Sequence, residues 1–372
     1  MRRQPKVVTA GTHRASSAEA TWERVRPLLP EFGITRVADL TWLDDIGIPV
    51  FQAVRPKSRA LAASQGKGLT RELARVSAVM EGVEGFAAEC VPVTRSGLRA
   101  AELGLPYDVG DLARSGYESM ARSVRLDWTA AVDLMTGAST YVPVDEVSLD
   151  WTVRLSWRPP VFASDSNGLA SGNTYEEAVL HGLYELLERE ALAVGGRETV
   201  GAASVTGEHA LTLLDRMTAS GADVLIESMT NEIGLPAFAA EMIDPSFPTS
   251  FGGYGAHLDP DVALCRALSE AVQSRSTVIS GARDDISAST YKWSSTDWVA
   301  RDPGSTITFS EVAERARHRG LVPTSDLVAD LAILRDCLRS YSESVLVVDL
   351  TPADGVHVVK VVAPGLTPYR GH

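Results

Sequence analysis

Ser166-Asn167-Gly168-Leu169-Ala170-Ser171-Gly172-Asn173-Thr174 runs directly into Tyr175-Glu176-Glu177-Ala178-Val179-Leu180-His181-Gly182-Leu183-Tyr184-Glu185-Leu186-Leu187-Glu188-Arg189. The first part has the Ser, Asn and Gly content of a loop. The second predicts a helix over about 175–193, with Val179, Leu183, Leu186 and Leu187 on one apolar side at helical spacing. On that helix Glu177, Glu185 and Glu188 stand at i, i+8 and i+11, with Arg189 beside them. A glycine-rich stretch opening into a carboxylate-bearing helix is the pattern from which the rest of the chain is read.

The pattern recurs on both sides. Upstream, Ser64-Gln65-Gly66-Lys67-Gly68 reads as a loop leading into a helix at 69–89, where Leu73, Val76, Met80, Val83 and Ala87 form a buried stripe. Ser77, Glu81 and Glu84 form a second line about 100° round the helix, at the edge of the buried face. Downstream, Gly252-Gly253-Tyr254-Gly255-Ala256-His257 precedes a helix at 260–277 carrying Glu270 and Gln273 at i, i+3, with Arg266 and Arg275 nearby. Like charges at such spacings repel by a few tenths of a kcal/mol per exposed pair. A divalent cation offsets that cost, and Mg²⁺ takes carboxylate oxygens while leaving room for phosphate. The plainer reading is a set of solvated helix faces. Spacing alone leaves both open, as it does the role of the lone His181.

Elsewhere the sequence predicts a helix within 12–30, entered from Thr12 to Ser17 and stopped near Pro27 and Pro30, and short strands at 34–40 and 49–54. Residues 90–160 read as mixed strands and connections, with strand-like alternation at 147–157. A polar stretch at 283–305 precedes helices at 309–319 and 325–341 and closing strands at 345–350 and 356–362. Helices and strands interleave, so the class is mixed α/β (α+β), and the lack of a clear linker favours a single large catalytic unit.

Composition narrows the function. Among 372 residues, 35 Lys and Arg face 48 Asp and Glu, a net charge of −13. That disfavours nucleic acid and anionic membrane as partners, and obliges an anionic ligand to find a bridging cation or an arginine cluster. Cys90, Cys265 and Cys337 suggest neither a disulfide framework nor a zinc site, and point to the reducing cytoplasm. No secretory h-region and no apolar run of about 18 residues is present. Phosphate-loop, G-x-G-x-x-G, G-x-S-x-G and H-E-x-x-H motifs are also missing.

The run Ser166-Asn167-Gly168-x-Ala170-x-Gly172-Asn173-Thr174-x-Glu176-Glu177-Ala178, continued by Gly182-Leu183-x-Glu185-x-x-Glu188-Arg189, resembles the signature of YcaO-domain enzymes. Ser77-x-x-x-Glu81-x-x-Glu84 after Gly66-Lys67-Gly68 is similar to their first motif, and Arg266-Ala267-Leu268-x-Glu270-x-x-Gln273-Ser274-Arg275 to their third. Gly11-Thr12-His13-Arg14 and Ala363-Pro364-Gly365-Leu366 resemble the branch found beside TfuA-type partner proteins. The likeness runs in order along nearly the whole chain.

The resemblance implies a YcaO-type fold, divided into an N-terminal helix and strand lobe at 1–60 and an ATP-binding catalytic domain at 61–372. It implies an ATP- and Mg²⁺-dependent enzyme acting on backbone amides in the maturation of ribosomally made peptides. Carried over, Glu81, Glu84, Glu185 and Glu188 are the metal ligands, and Glu81, Glu188, Arg189 and Arg275 the catalytic group. Arg14, Thr21, Lys67, Ser77, Asn173, Glu177, Glu270 and Gln273 become nucleotide-site residues. The expected product is an azoline or (macro)amidine formed by cyclodehydration. The alternatives are a thioamide made with a TfuA-type partner, or a non-catalytic peptide-binding scaffold. Expected partners are a precursor peptide, a TfuA-type or leader-binding protein and a second copy in a homodimer. One departure stands out: Gly85 follows Glu84 where the family's first motif usually has arginine.

Overall fold

A computed structural model describes residues 3–152, 160–244, 246–247, 249–283, 285–292 and 305–366. In chain order it contains β1 (Val7–Thr9), β2 (Thr12–Arg14), α1 (Ala18–Val25), β3 (Arg36–Asp39), β4 (Val50–Val54), β5 (Ala63–Lys67), α2 (Arg71–Ala88), β6 (Arg95–Leu98), α3 (Glu118–Ser123), β7 (Leu126–Asp133), β8 (Ser139–Pro143) and α4 (Val144–Val147). There follow β9 (Leu169–Gly172), α5 (Tyr175–Val194), β10 (Gly196–Val200), α6 (Glu208–Ala219), β11 (Asp223–Thr230), β12 (Ala237–Ile243), β13 (Phe251–Ala256), α7 (Pro260–Ser280), β14 (Thr306–Ile307), α8 (Phe309–His318), α9 (Leu327–Leu338), β15 (Leu346–Asp349) and β16 (His357–Val362).

The class is mixed α/β. One sheet has the order β13-β12-β11-β10-β14, and a second β6-β7-β15-β16-β9 with β8 paired to β7. A three-stranded sheet, β3-β4-β5, spans residue 60, and β1 pairs with β2. Among the described residues no helix is long and apolar enough to cross a membrane.

Three strand–helix units, β5–α2, β9–α5 and β13–α7, organise the centre. Each helix lies on its own strand and also touches the strand of another unit: α2 meets β9, α5 meets β13 and α7 meets β5. The units therefore close into a ring. Helix entry is set locally, since Thr70 and Thr174 accept a hydrogen bond from Leu73 N and Glu177 N at 3.2 Å each, and Asp259 caps α7.

Of the glycine-rich stretches expected as loops, 64–68 is mostly strand β5 and 166–174 contains strand β9, and the stretch at 252–257 is mostly strand β13. A Cβ on Gly66 would lie 1.9 Å from Ala78 N, and one on Gly253 would lie 2.2 Å from Ala267 O. Glycine is needed there because helix backbone rests directly on the strand, which is the other meaning of glycine inside a strand pattern.

The N-terminal expectation is also corrected. Thr12–Arg14 is a strand, because Gly11 takes φ +70° in the two-residue turn that pairs Thr9 with Thr12. The helix starts only at Ala18, where the Ser17 hydroxyl caps it, and ends at Val25. In the 147–157 stretch Val147 closes α4, and 153–159 lie outside the described residues. Of 283–305, the described part includes a 3-10 turn at Ala288–Tyr291, while 293–304 lie outside.

Candidate active site

The ring of strand–helix units encloses a cavity of about 870 Å³, within the usual range for small-ligand sites. α2 contributes Ser77, Glu81 and Glu84; α5 contributes Glu177, His181, Glu185, Glu188 and Arg189; α7 contributes Arg266, Glu270 and Gln273. Lys67 enters from the end of β5, Asn173 from the turn after β9, Arg14 from β2 and Thr21 from α1.

The polar contacts sort these groups into two regions. Near the N-terminal hairpin, buried Glu177 accepts from Ala15 N (3.1 Å) and Asn173 Nδ2 (3.2 Å), and pairs with Arg14 at 3.5 Å. Asn173 Oδ1 in turn accepts from Thr21 Oγ1 at 2.7 Å and from Arg24 at 3.0 Å. Arg14 also lies 2.9 Å from Nε2 of His181, whose pKa is pushed well down by burial and by the charges of Arg14 and Arg266. A neutral imidazole can accept from Arg14, which gives His181 a place in the site.

The second region holds the remaining carboxylates. The Ser171 hydroxyl donates to Glu84 at 2.6 Å. Glu188, 3% exposed, accepts from Ala256 N at 3.2 Å and sits 3.5 Å from Arg189. Lys67 Nζ donates to Glu270 at 2.6 Å. Gln273 donates to the Gln65 carbonyl at 3.3 Å, tying α7 to β5.

Their titration reflects burial first and the neighbouring carboxylates second. Burial, with Glu81 and Glu185 nearby, raises Glu84 to about 8 despite the Ser171 hydroxyl. Burial raises Glu185 to about 7, with Glu188 adding and Arg189 opposing. Glu81 is solvent-exposed within the cavity, yet the enclosing protein raises it to about 7, with Glu270 adding and Lys67 opposing. Burial also lifts Glu188. Glu270 is the exception: burial pushes it up, but Lys67 and Arg189 hold it below the ordinary value.

Among the described residues no three His, Cys, Asp or Glu side chains are gathered tightly enough to hold a metal ion as they stand. The donor chemistry nevertheless fits Mg²⁺. Carboxylates are hard oxygen ligands, and their raised pKa values mark negative charge short of a counter-ion. The lining holds seven carboxylates against six Lys and Arg, so a triphosphate would need added cations to enter.

All the residues expected at the site line this cavity except Arg275. Its guanidinium pairs with Asp44 at 2.7 Å and Asp244 at 2.6 Å, and packs over Phe247 and Phe251. Its placement in the catalytic group is therefore corrected: lying on the side of α7 turned away from the cavity, it ties α7 to the loops before β4 and after β12. Arg266, two and a half turns earlier and quoted in the same motif, is the one that faces in.

Arg55 and Arg283 also line the cavity and were not singled out in the sequence. Arg55 lies beside the position where the family's first motif usually has arginine. Its NH1 lies 3.1 Å from where a Gly85 Cβ would be, so a guanidinium from β4's end occupies space beside α2 that a side chain at position 85 would need. It is bound to Glu89 at 2.8 Å. No spacing rule relates residue 55 to residue 85, and only the β4–β5–α2 packing brings them together.

This fold is shared with a heterocyclase solved in complex with substrate and cofactor, at TM-score 0.77 and 24% identity, covering 99% of this chain and 54% of that one. The chain thus spans about half the length of that heterocyclase. It is shared too with YcaO from Methanopyrus kandleri bound with AMPPCP and Mg²⁺, at TM-score 0.76 and 25% identity, covering 98% of this chain and 95% of that one. By architecture the molecule has the YcaO fold. The model of the family described as YcaO cyclodehydratase, ATP- and Mg²⁺-binding, matches residues 65–367, and the chain belongs to that family. Among its relatives, an uncharacterized protein of Mycobacterium tuberculosis is 40% identical over 372 residues, covering 96% of this chain and 83% of the relative. Another, from the tfuA 3′ region of Rhizobium leguminosarum bv. trifolii, is 40% identical over 299 residues, covering 75% of this chain and 70% of the relative.

Proposed function

We propose that this chain is an ATP- and Mg²⁺-dependent enzyme that activates a backbone amide of a ribosomally made precursor peptide, leading to cyclodehydration and an azoline or (macro)amidine. The observation that carries the reading is the delivery of Glu81, Glu84, Glu185 and Glu188 from two helices into one cavity that also holds Lys67, Arg14 and Arg189.

Glu81, Glu84, Glu185 and Glu188 would hold Mg²⁺. Bound ATP would convert the amide oxygen, a poor leaving group, into phosphate. The chain's own contribution is positioning and charge stabilisation. Arg14, Thr21, Asn173 and Glu177 form the hydrogen-bonded wall against which the nucleotide is oriented, with Ser77 beside it. Lys67, Glu270, Gln273, Arg189 and Arg266 surround the reacting phosphates, where fixed cations stabilise charge developing in the transition state. The three cysteines are free thiols, in keeping with a cytoplasmic location.

A second reading, thioamide formation with a TfuA-type partner, is favoured by one observation: the Rhizobium relative lies in a tfuA 3′ region. Mass spectrometry of a precursor peptide co-expressed with the enzyme separates the two. A loss of about 18 Da, the mass of one water removed in the dehydration, is expected for cyclodehydration, and a gain of about 16 Da marks oxygen-to-sulfur exchange. An unmodified peptide with either partner set would contradict catalysis on it.

A further inference from the structure

The N-terminal hairpin reaches the cavity with Arg14 but is anchored outside it. Gln4 bridges two helix starts: its side chain accepts from the Thr174 hydroxyl at 2.7 Å and donates to Glu176, and its backbone N–H donates to Asp326, the cap of α9, at 2.9 Å. The Lys6 ammonium pairs with Asp330 on α9, their side chains 1% and 0% exposed, and Lys6 N donates to Ser325 O at 3.0 Å. Val7, the next residue, faces Arg14 across the β1–β2 ladder.

The other strand is held as well. Lys6 Nζ lies 3.4 Å from His13 Nδ1, and His13 packs edge-on against His257 and lies 3.7 Å from Asp259, the cap of α7. At the turn, a side chain on Gly11 would strike Leu69 at 2.8 Å and Cys265 at 3.3 Å. The hairpin is thus fitted to the starts of α5, α7 and α9, while Lys6, His13 and Asp330 stay out of the cavity lining.

A buried ion pair is a weak source of stability, but displacing either partner leaves an unpaired charge, so the pair resists a change of register. We propose that Lys6 and Asp330 are positioning residues for the nucleotide site: their ion pair fixes the register in which β2 presents Arg14 to the cavity. This rests on the reading of the cavity as a site for Mg²⁺ and a nucleotide. Arg14 has few other restraints on that side, since its cavity contacts are Glu177 and His181 on a single helix.

The test is a double-mutant cycle read as the Kd for AMPPCP in the presence of Mg²⁺, with Tm recorded alongside. Lys6→Met should weaken binding about tenfold, and Arg14→Met at least as much. The double variant should bind no worse than Arg14→Met alone, although Lys6→Met lowers Tm in both backgrounds. Additive losses, or a wild-type Kd for Lys6→Met, would overturn the proposal. Should Lys6→Met fail to fold, Lys6→Met with Asp330→Leu, which leaves no unpaired charge, takes its place in the cycle. If Arg14→Met binds like the unsubstituted chain, the positioning proposal falls together with the place of Arg14 in the nucleotide wall, while the reading of the cavity as a site for Mg²⁺ and a nucleotide stands. If the unsubstituted chain binds no AMPPCP, the nucleotide reading falls and this proposal with it.

Discussion

Glu188→Gln is expected to lower ATP-dependent turnover by about 10²- to 10³-fold or more while leaving the fold intact. The side chain is nearly enclosed and its oxygen accepts from Ala256 N. Glutamine keeps the shape and an oxygen for that hydrogen bond, so the local packing survives. It does not keep the charge, and a neutral amide oxygen is a poor ligand for a hard divalent ion. Because burial already disfavours the ionised form, removing the charge should leave Tm unchanged or higher. Glu81→Gln should behave in the same way. Turnover is read by phosphate release with a precursor peptide and Tm by thermal melting; full activity in either variant would remove that residue from the metal set.

Burial of these carboxylates, with their mutual repulsion added, predicts an inverted pH dependence of stability in the absence of Mg²⁺. Glu84 is raised to about 8, and Glu81 and Glu185 to about 7, from an ordinary 4.5. Between those values and 4.5 the folded chain keeps protons that the unfolded chain has released. Their contribution to stability is therefore complete below about pH 4.5 and is lost as pH rises towards 8. Glu84→Gln, which cannot ionise, should escape the loss. In a chelator it should match the unsubstituted chain near pH 5 and exceed it at pH 8 by on the order of 1–3 kcal/mol, allowing for solvent in the cavity. At about 1–2 °C per kcal/mol for a chain of this length the difference is readable as a Tm shift. Mg²⁺ with AMPPCP should reverse the order, since only the intact site gains binding energy. A Glu84→Gln variant less stable at pH 8 in chelator would contradict this dependence.

The parts legible in the sequence were those governed by helical periodicity. The expected helix at 69–89 is observed at Arg71–Ala88, that at 175–193 at Tyr175–Val194, and that at 260–277 at Pro260–Ser280. The α5 stripe is buried as expected, whereas in α2 Leu73 and Val76 are half-buried and line the cavity, the buried face being Ala74, Ala78, Val79 and Val83; the carboxylates of these helices share that cavity. What escaped was whatever depends on how separate elements meet. Gly66 looked like a loop residue because sequence cannot distinguish a bend from a strand lying under a helix. Arg266 and Arg275 are nine residues apart and so lie on opposite faces of α7, Arg266 on the face of Glu270 and Gln273, and Arg275 is paired with Asp44 and Asp244 on the other side. Arg55 is invisible to any local rule, since its neighbour Gly85 lies 30 residues further along the chain.

The central claim is that glutamates from α2 and α5 together hold cations that bring a triphosphate into an acidic chain. Titration calorimetry of AMPPCP into the unsubstituted protein, with Mg²⁺ and then with excess EDTA, tests it most directly. Saturable binding with Mg²⁺ that weakens about tenfold or more in EDTA is the expected result. Equal affinity under both conditions, or no binding with Mg²⁺ present, would contradict it.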